Sequence, residues 1–281
     1  MRKIIIIGGS GFVGRSLKEY IHKNLKKTQT ISYSRTEKKN IIKEKKLPKS
    51  DLIIYCIKNK NIKTSINYFN HFKKLLLNCS KKTKILFLSS GAVYGPRNSK
   101  IKFKEIENIN YERIKLFSGY KLSYAKEKIV LENEFKQLAE LGYKVSIARG
   151  FTFYGKNILK YNYAISNIIK SINGKKNIVI NNKNTFRSYM HEIDMCNWLI
   201  KIANSASTKC PIFNVGSDKV VNLKELALYL ASKNQLNVNI KKTKINITDF
   251  YVPSTSLAKR KLKLKTSINF KDTIKSLINK K

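Results

Sequence analysis

Lys3–Gly14, KIIIIGGSGFVG, decides the fold. Four consecutive isoleucines with no polar interruption mark a strand buried on both faces, as the strands of a parallel sheet are. Gly8, Gly11 and Gly14 follow at three-residue spacing, and a helix is expected from there to about Lys26. Glycines at a strand-to-helix junction let the backbone turn sharply and approach a pyrophosphate, whose charge the unpaired N–H groups of the helix start attract. The pattern is short, so its weight comes from its position between a strand and a helix. It nominates Gly8, Gly11, Phe12, Val13 and Gly14 as dinucleotide-binding residues.

Outward from this junction the first half of the chain alternates strand and helix. Strands are expected at Thr30–Tyr33, Asp51–Ile57, Lys84–Ser89 and Val145–Arg149, with helices around Ile66–Asn78 and Tyr124–Leu141. In the last helix Leu131, Phe135 and Leu138 share one stripe, read as core. Beyond Gly150 the pattern becomes irregular. The expected architecture is α/β: a Rossmann-type doubly wound parallel sheet in residues 1–150 and a smaller α+β substrate-binding part in 151–281. Segments near 186–200 and 246–256 are expected to pack back onto the sheet.

Composition narrows the function. At 281 residues and 42% hydrophobic content the chain can bury a sizeable core. Its apolar runs fall far short of the roughly 20 residues of a membrane-spanning helix, and the N-terminus enters a strand directly, so a cytoplasmic protein off the membrane is expected. Four scattered cysteines and three scattered histidines suggest neither disulfides nor a metal site. The net charge of +41 raises nucleic-acid binding as a hypothesis. Against specific recognition, only eight of the 58 cationic residues are arginine, and the lysines are spread along the chain. Lys, Asn and Ile are over-used together, so A/T-rich codons alone can produce this coat. It should still attract polyphosphate substrates.

Two further segments carry chemistry. LSSGAVYG (Leu88–Gly95) leaves a strand end, where an open parallel sheet places its ligands. A tyrosine with a lysine four residues on occurs at Tyr111/Lys115, Tyr124/Lys128 and Tyr229/Lys233, and about three such pairs are expected by chance in a chain with this much of both. Context selects the second: Ser118 and Gly119 break the helix after Tyr111, Tyr229 lies in the irregular part, and Tyr124 and Lys128 share a face of a long helix.

With its glycine turn, S-S-x-x-V-Y-G and Y-x-x-x-K, the chain resembles the extended short-chain dehydrogenase/reductase family, the NAD-dependent epimerases and dehydratases that modify nucleotide sugars. ARGFTFYG (Ala148–Gly155) is similar to that family's R-P-x-N-V-Y-G, and FRSYMHEIDM (Phe186–Met195) to its R-D-F-I-H-V-D-D; FNVGSDKVVNLKELA and YVPSTSLAKRKL extend the likeness over essentially the whole chain. The resemblance implies Tyr124 as acid/base, Lys128 holding the nicotinamide ribose and favouring the phenolate, Ser90 orienting the sugar oxygen, and Glu132 as the family's glutamate. It further implies Arg187 gripping a substrate diphosphate, Thr152 at a substrate position where many relatives carry asparagine, and a homodimer. Asn67 aligns with a family asparagine. The implied substrate is a nucleoside-diphosphate sugar, and no partner membrane or specific nucleic acid is implied.

Among family reactions, reduction of a 4-keto-6-deoxyhexose comes first and 4-epimerisation with tightly bound NAD second. A 4,6-dehydratase comes last, because Gly91 and Ala92 stand where dehydratases carry an Asp-Glu pair. From a different class, the rival is a non-catalytic Rossmann protein that binds RNA through its basic surface. The second strand ends Ile31-Ser32-Tyr33-Ser34-Arg35, with no acidic residue from Thr28 to Thr36 to hold a ribose 2'-hydroxyl. Ser34 and Arg35 can instead donate to a 2'-phosphate. NADP(H) is therefore favoured, with NAD possible and Glu37 close enough to matter. Residues 36–50 are too few for the usual extra strand and full helix.

Overall fold

The computed structural model describes residues 1–35, 39–59, 61–241 and 248–278. Its strands are β1 (Arg2–Ile7), β2 (Thr28–Tyr33), β3 (Leu52–Tyr55), β4 (Lys84–Ser90), β5 (Lys144–Gly150), β6 (Phe153–Tyr154), β7 (Ile178–Ile180), β8 (Thr185–Arg187), β9 (Met190–His191), β10 (Ile212–Val215), β11 (Val221–Asn222), β12 (Val238–Ile240) and β13 (Asp249–Tyr251). Its helices are α1 (Phe12–Asn24), α2 (Ile62–Leu76), α3 (Tyr111–Lys115), α4 (Gly119–Glu140), α5 (Ala164–Asn173), α6 (Glu192–Asn204), α7 (Leu223–Lys233), α8 (Ser256–Leu262) and α9 (Phe270–Ile274).

Six strands form one parallel sheet in the order β10-β5-β4-β3-β1-β2. Strand β1 pairs with β2 on one side and β3 on the other, so the winding reverses between β1 and β3, where a doubly wound sheet binds its ligands. The isoleucine run explains why β1 is central. Its residues are all fully buried, and by the two-residue strand period Ile4 and Ile6 enter one core while Ile5 and Ile7 enter another. The first core is shared with Leu17 and Ile21 of α1 and with Trp198 and Leu199 of α6; the second is shared with Phe69 and Phe72 of α2 and with Leu131, Phe135 and Leu138 of α4. Each such side chain contributes about 1.5–3 kcal/mol by leaving water.

Helix α4 starts at Gly119, earlier than the sequence pattern suggested, with Ser118 as N-cap; α3 ends at Lys115 before that break. Strand β3 stops at Tyr55, opposite the last residue of β1, so Cys56–Ile57 are not strand as expected. Between β2 and β3 the described residues hold one short 3-10 helix, Ile41–Lys43, and no additional strand, leaving β2 at the sheet edge. At the other edge β10 pairs with β5. Helix α6 packs between α1 and the sheet face at β4 and β5. A small sheet, β11-β8-β13, sets Tyr251 of β13 beside Arg187 of β8. The C-terminal stretch returns to α6: the Trp198 indole donates to the Lys265 carbonyl at 2.9 Å, and the Ser267 and Ile268 N–H groups donate to Asp194 at 3.0 Å each.

Candidate functional site

A cavity of about 730 Å³ opens at the C-terminal ends of β1, β3, β4 and β5. The sheet's winding reversal forms its floor. The N–H groups of Gly8 and Gly9 donate to the Tyr33 carbonyl at 2.8 and 3.2 Å, turning the chain sharply away from β1. Gly8 has φ +109°, and a Cβ there would lie 2.7 Å from the Cys56 carbonyl carbon; a Cβ on Gly14 would lie 2.4 Å from the Gly8 oxygen. These glycines keep β1, α1 and the segment after β3 in close approach. Helix α1 has Gly11 as N-cap and no side-chain cap, so its first turn presents backbone N–H groups toward the cavity. That helix start, without a side-chain cap, fits a dinucleotide pyrophosphate.

Gly8, Gly11, Phe12, Val13, Ser34, Arg35, Ser90, Tyr124, Lys128, Thr152 and Arg187 all line this one cavity. Gly14 is the exception, lying beneath the turn against Gly8 and Gly9. Asn67 is exposed on α2 and does not line the cavity. Tyr111 and Tyr229, at 58% and 43% exposure, are surface residues away from it. Ser34 is buried at the end of β2 and its N–H donates to the Lys39 carbonyl at 2.8 Å, with exposed Arg35 next to it. Glu37 lies outside the described residues.

Ser90 ends β4. Its Oγ accepts from the Ala92 N–H at 3.2 Å and lies 3.2 Å from the Tyr251 hydroxyl, which donates onward to the Gly150 carbonyl at 3.4 Å. Burial pushes the Tyr124 phenol above its ordinary value and the neighbouring Tyr251 adds to the rise, while a hydrogen bond with Ser90 opposes it. Tyr251 is pushed up to about 12 by burial, against which Ser90 acts. One helical turn beyond Tyr124, the buried Lys128 ammonium donates to the Ile57 carbonyl at 3.2 Å and sits 3.7 Å from Glu127. Burial lowers the Lys128 pKa and Glu127 resists that.

Glu132 lies off the cavity. It receives Arg149 in a two-pronged pair at 3.0 and 2.7 Å and the Ser89 hydroxyl at 2.6 Å, tying α4 to β5 and β4 below the site. Arg187 is held by Asp249 at 2.6 Å and by the Asp249 and Phe186 carbonyls at 2.9 and 2.8 Å. Burial raises the Asp249 carboxyl, but Arg187 outweighs it and holds the pKa below its ordinary value.

Sequence reading missed Lys58, Tyr120, Tyr163, Asp249 and Tyr251, all of which line the cavity. Lys58 follows β3; its ammonium lies 5.4 Å from the ring centres of Tyr120, Tyr124 and Tyr163 and 3.3 Å from the Tyr163 hydroxyl. In a lysine-rich chain nothing local singles it out.

Among the described residues no helix is long and apolar enough to cross a membrane. No curated protein matches the chain. Solved structures do. The protein RMD from Pseudomonas aeruginosa, complexed with NADPH, is 16% identical over 99% of this chain and 98% of its own, with a TM-score of 0.76. UDP-glucose 4-epimerase from Thermotoga maritima, with UDP-glucose, is 15% identical over 97% and 96%, TM-score 0.75. dTDP-glucose 4,6-dehydratase from Bacillus anthracis, in complex with NAD, is 14% identical over 99% and 95%, TM-score 0.77. At these identities the likeness is one of fold. The family model described as "NAD dependent epimerase/dehydratase family" matches residues 4–216, most of the chain. With that match over the sheet, the glycine turn and the Tyr124 helix, the chain belongs to the NAD dependent epimerase/dehydratase family of enzymes.

Proposed function

We propose that this enzyme moves a hydride between a nicotinamide cofactor, preferably NADP(H), and a nucleoside-diphosphate sugar, its main reaction being reduction of a 4-keto-6-deoxyhexose. The observation that carries the reading is the convergence of Ser90, Tyr124 and Lys128 with the α1 glycine turn on one cavity. When bound, the cofactor supplies or accepts the hydride. The chain supplies the rest. Tyr124 donates the proton that the sugar carbonyl oxygen needs as it becomes a hydroxyl. Ser90, fixed by Ala92 and Tyr251, orients that oxygen. Lys128 holds the cofactor ribose, and its positive charge favours the phenolate left behind. Arg187 and Thr152, which line the same cavity, take the substrate.

Two observations order the alternatives. A Cβ at Gly91 would lie 2.5–2.8 Å from the Phe151 ring, so the first acidic residue of the dehydratase pair would require that ring to move. At the end of β2, the described residues put Ser34 and Arg35, rather than a carboxylate, on the cavity wall. That favours a 2'-phosphate and hence a reductase, which consumes its cofactor. Titrating NADPH and NADH against the protein by fluorescence tests this. Tighter NADH, or NAD retained through purification, rejects the NADP preference and makes 4-epimerisation the leading reaction. The expected homodimer and cytoplasmic setting belong to the same proposal; light scattering reporting a monomer removes the former.

A further inference from the structure

Residues adjacent on an α-helix point about 100° apart, so the neighbour of an inward-facing lysine need not face inward itself. Yet Glu127 and Lys128 of α4 are each only 3% exposed, and the carboxylate lies 3.7 Å from the ammonium. Acidic side chains are almost never buried this deeply unless paired. Glu127 does not line the cavity; it stands behind the lysine that does.

Two further elements hold it there. The Ser65 hydroxyl of α2 hydrogen-bonds the Glu127 carboxylate, and Ser65 Oγ accepts from the Asn59 amide at 3.1 Å. Ser65 and Asn59 are buried as well. A line of buried polar groups thus runs from the segment after β3, through α2, to α4, and ends on the Lys128 ammonium, which also donates to the Ile57 carbonyl at 3.2 Å. Connected networks of this kind hold each member in one place.

The charges explain why a carboxylate belongs at its end. Beside Lys128 lie the rings of Tyr124 and Phe87, the Cys56 thiol, and the Lys58 ammonium as a like charge. Burial and Lys58 both favour the neutral amine, and Glu127 is the largest influence against them. Facing Glu127 besides Lys128 are Ser65, Lys58 and Tyr55 of β3. Burial raises the Glu127 carboxyl, while Lys128, Ser65 and Lys58 favour its ionised form. An ammonium left without its counter-charge in such surroundings sheds its proton.

We infer that Glu127 is a positioning residue, held by Ser65, that keeps Lys128 charged and aimed into the cavity, so that the lysine can hold the cofactor ribose and favour the Tyr124 phenolate. This rests on that role of Lys128 in the proposed function.

The test is the pH dependence of NADPH affinity, read by fluorescence titration of the full-length protein. Affinity should fall at alkaline pH as Lys128 loses its proton. Removing the neighbouring anion makes the ammonium a stronger acid, so Glu127→Gln is expected to move the midpoint of that fall down by about one pH unit or more. Ser65→Ala is expected to move it the same way by less. In Glu127→Gln/Lys128→Met, which has no amine at position 128 to titrate, the shifted fall should be absent. A Glu127→Gln midpoint equal to the parent's, no fall in either protein, or a double variant that keeps the shifted fall overturns the inference. Glutamine keeps the shape of the side chain and its bond to Ser65, and circular dichroism checks the fold; should that variant not fold, a parent-like midpoint in Ser65→Ala overturns the inference instead. A parent that binds neither NADPH nor NADH rejects the proposed function and this inference together, whereas a parent that binds with an unshifted variant rejects the inference alone.

Discussion

At the scale of single residues, the proposed site combines one proton-moving group with neighbours that shift its ionisation. Tyr124→Phe keeps the ring and its stacking on Tyr120 but removes the proton, so turnover should fall by about 10²-fold or more with cofactor affinity nearly unchanged. Stopped-assay rates beside a cofactor titration check both halves, and a variant at the parent rate removes Tyr124 from the site. Arg187 needs a subtler prediction because Asp249 already occupies its guanidinium. Arg187→Ala should weaken binding of a nucleoside diphosphate, whereas Asp249→Asn, which frees the guanidinium from its counter-charge, should tighten it. Calorimetry with UDP and dTDP reads both; unchanged affinity in Arg187→Ala excludes it from the diphosphate site. Ser90, Tyr124 and Lys128 were legible in the sequence because each sits in a short segment with its own signature. Tyr251 and Lys58 were not: Tyr251 meets Ser90 across 161 residues of chain, and Lys58 is distinguished only by the tertiary neighbours that surround it.

At the scale of elements, the strand–glycine–helix junction was readable because its causes are local: a buried run, a positive φ and a helix start. The early start of α4 was not, since its first turn carries mixed polar and aromatic residues that no stripe organises and only packing against the cavity defines. Two energetic predictions belong here. Glu132 joins three elements through Arg149 and Ser89, wholly buried, so Glu132→Ala leaves a buried guanidinium without its partner and should cost about 3–5 kcal/mol in urea unfolding. A loss under about 1 kcal/mol would show that water reaches the pair. Tyr55 of β3 packs among Phe69, Phe72, Phe87 and Phe135, and its buried hydroxyl has no hydrogen-bond partner among the described residues. Removing that oxygen in Tyr55→Phe should therefore raise stability by about 1 kcal/mol. A destabilised variant would reveal a bound water at that hydroxyl.

At the scale of the whole molecule, the +41 charge suits the polyanionic ligands of the proposed function. A dispersed lysine field steers anions without selecting among them. Raising salt from about 50 to 500 mM should slow NADPH association markedly and change its dissociation little. Stopped-flow fluorescence separates the two; a dissociation rate that rises instead would assign the charge to the bound state. RNA should bind with the same salt sensitivity and without sequence preference, and a sequence-selective complex at physiological salt would bring back the RNA-binding rival. The pairing of β10 with β5 has a further consequence, in the time order of folding. The ribosome releases β1 to β5 early, yet beyond the Val145–Ser207 bridge and the Ile147 bond to Pro211 the outer edge of β5 stays open until Ile212–Val215 emerges, and Asp194 waits longer still for Ser267 and Ile268. A nascent chain halted before β10 thus presents a parallel strand with one edge largely unpaired beside an uncovered helix, which is the form in which such a chain is open to chaperones and to aggregation. Protection against hydrogen exchange of the Arg149 amide, which faces β10 rather than β4, should accordingly appear only when synthesis has passed Val215, long after the glycine turn at residues 8–14 has been made.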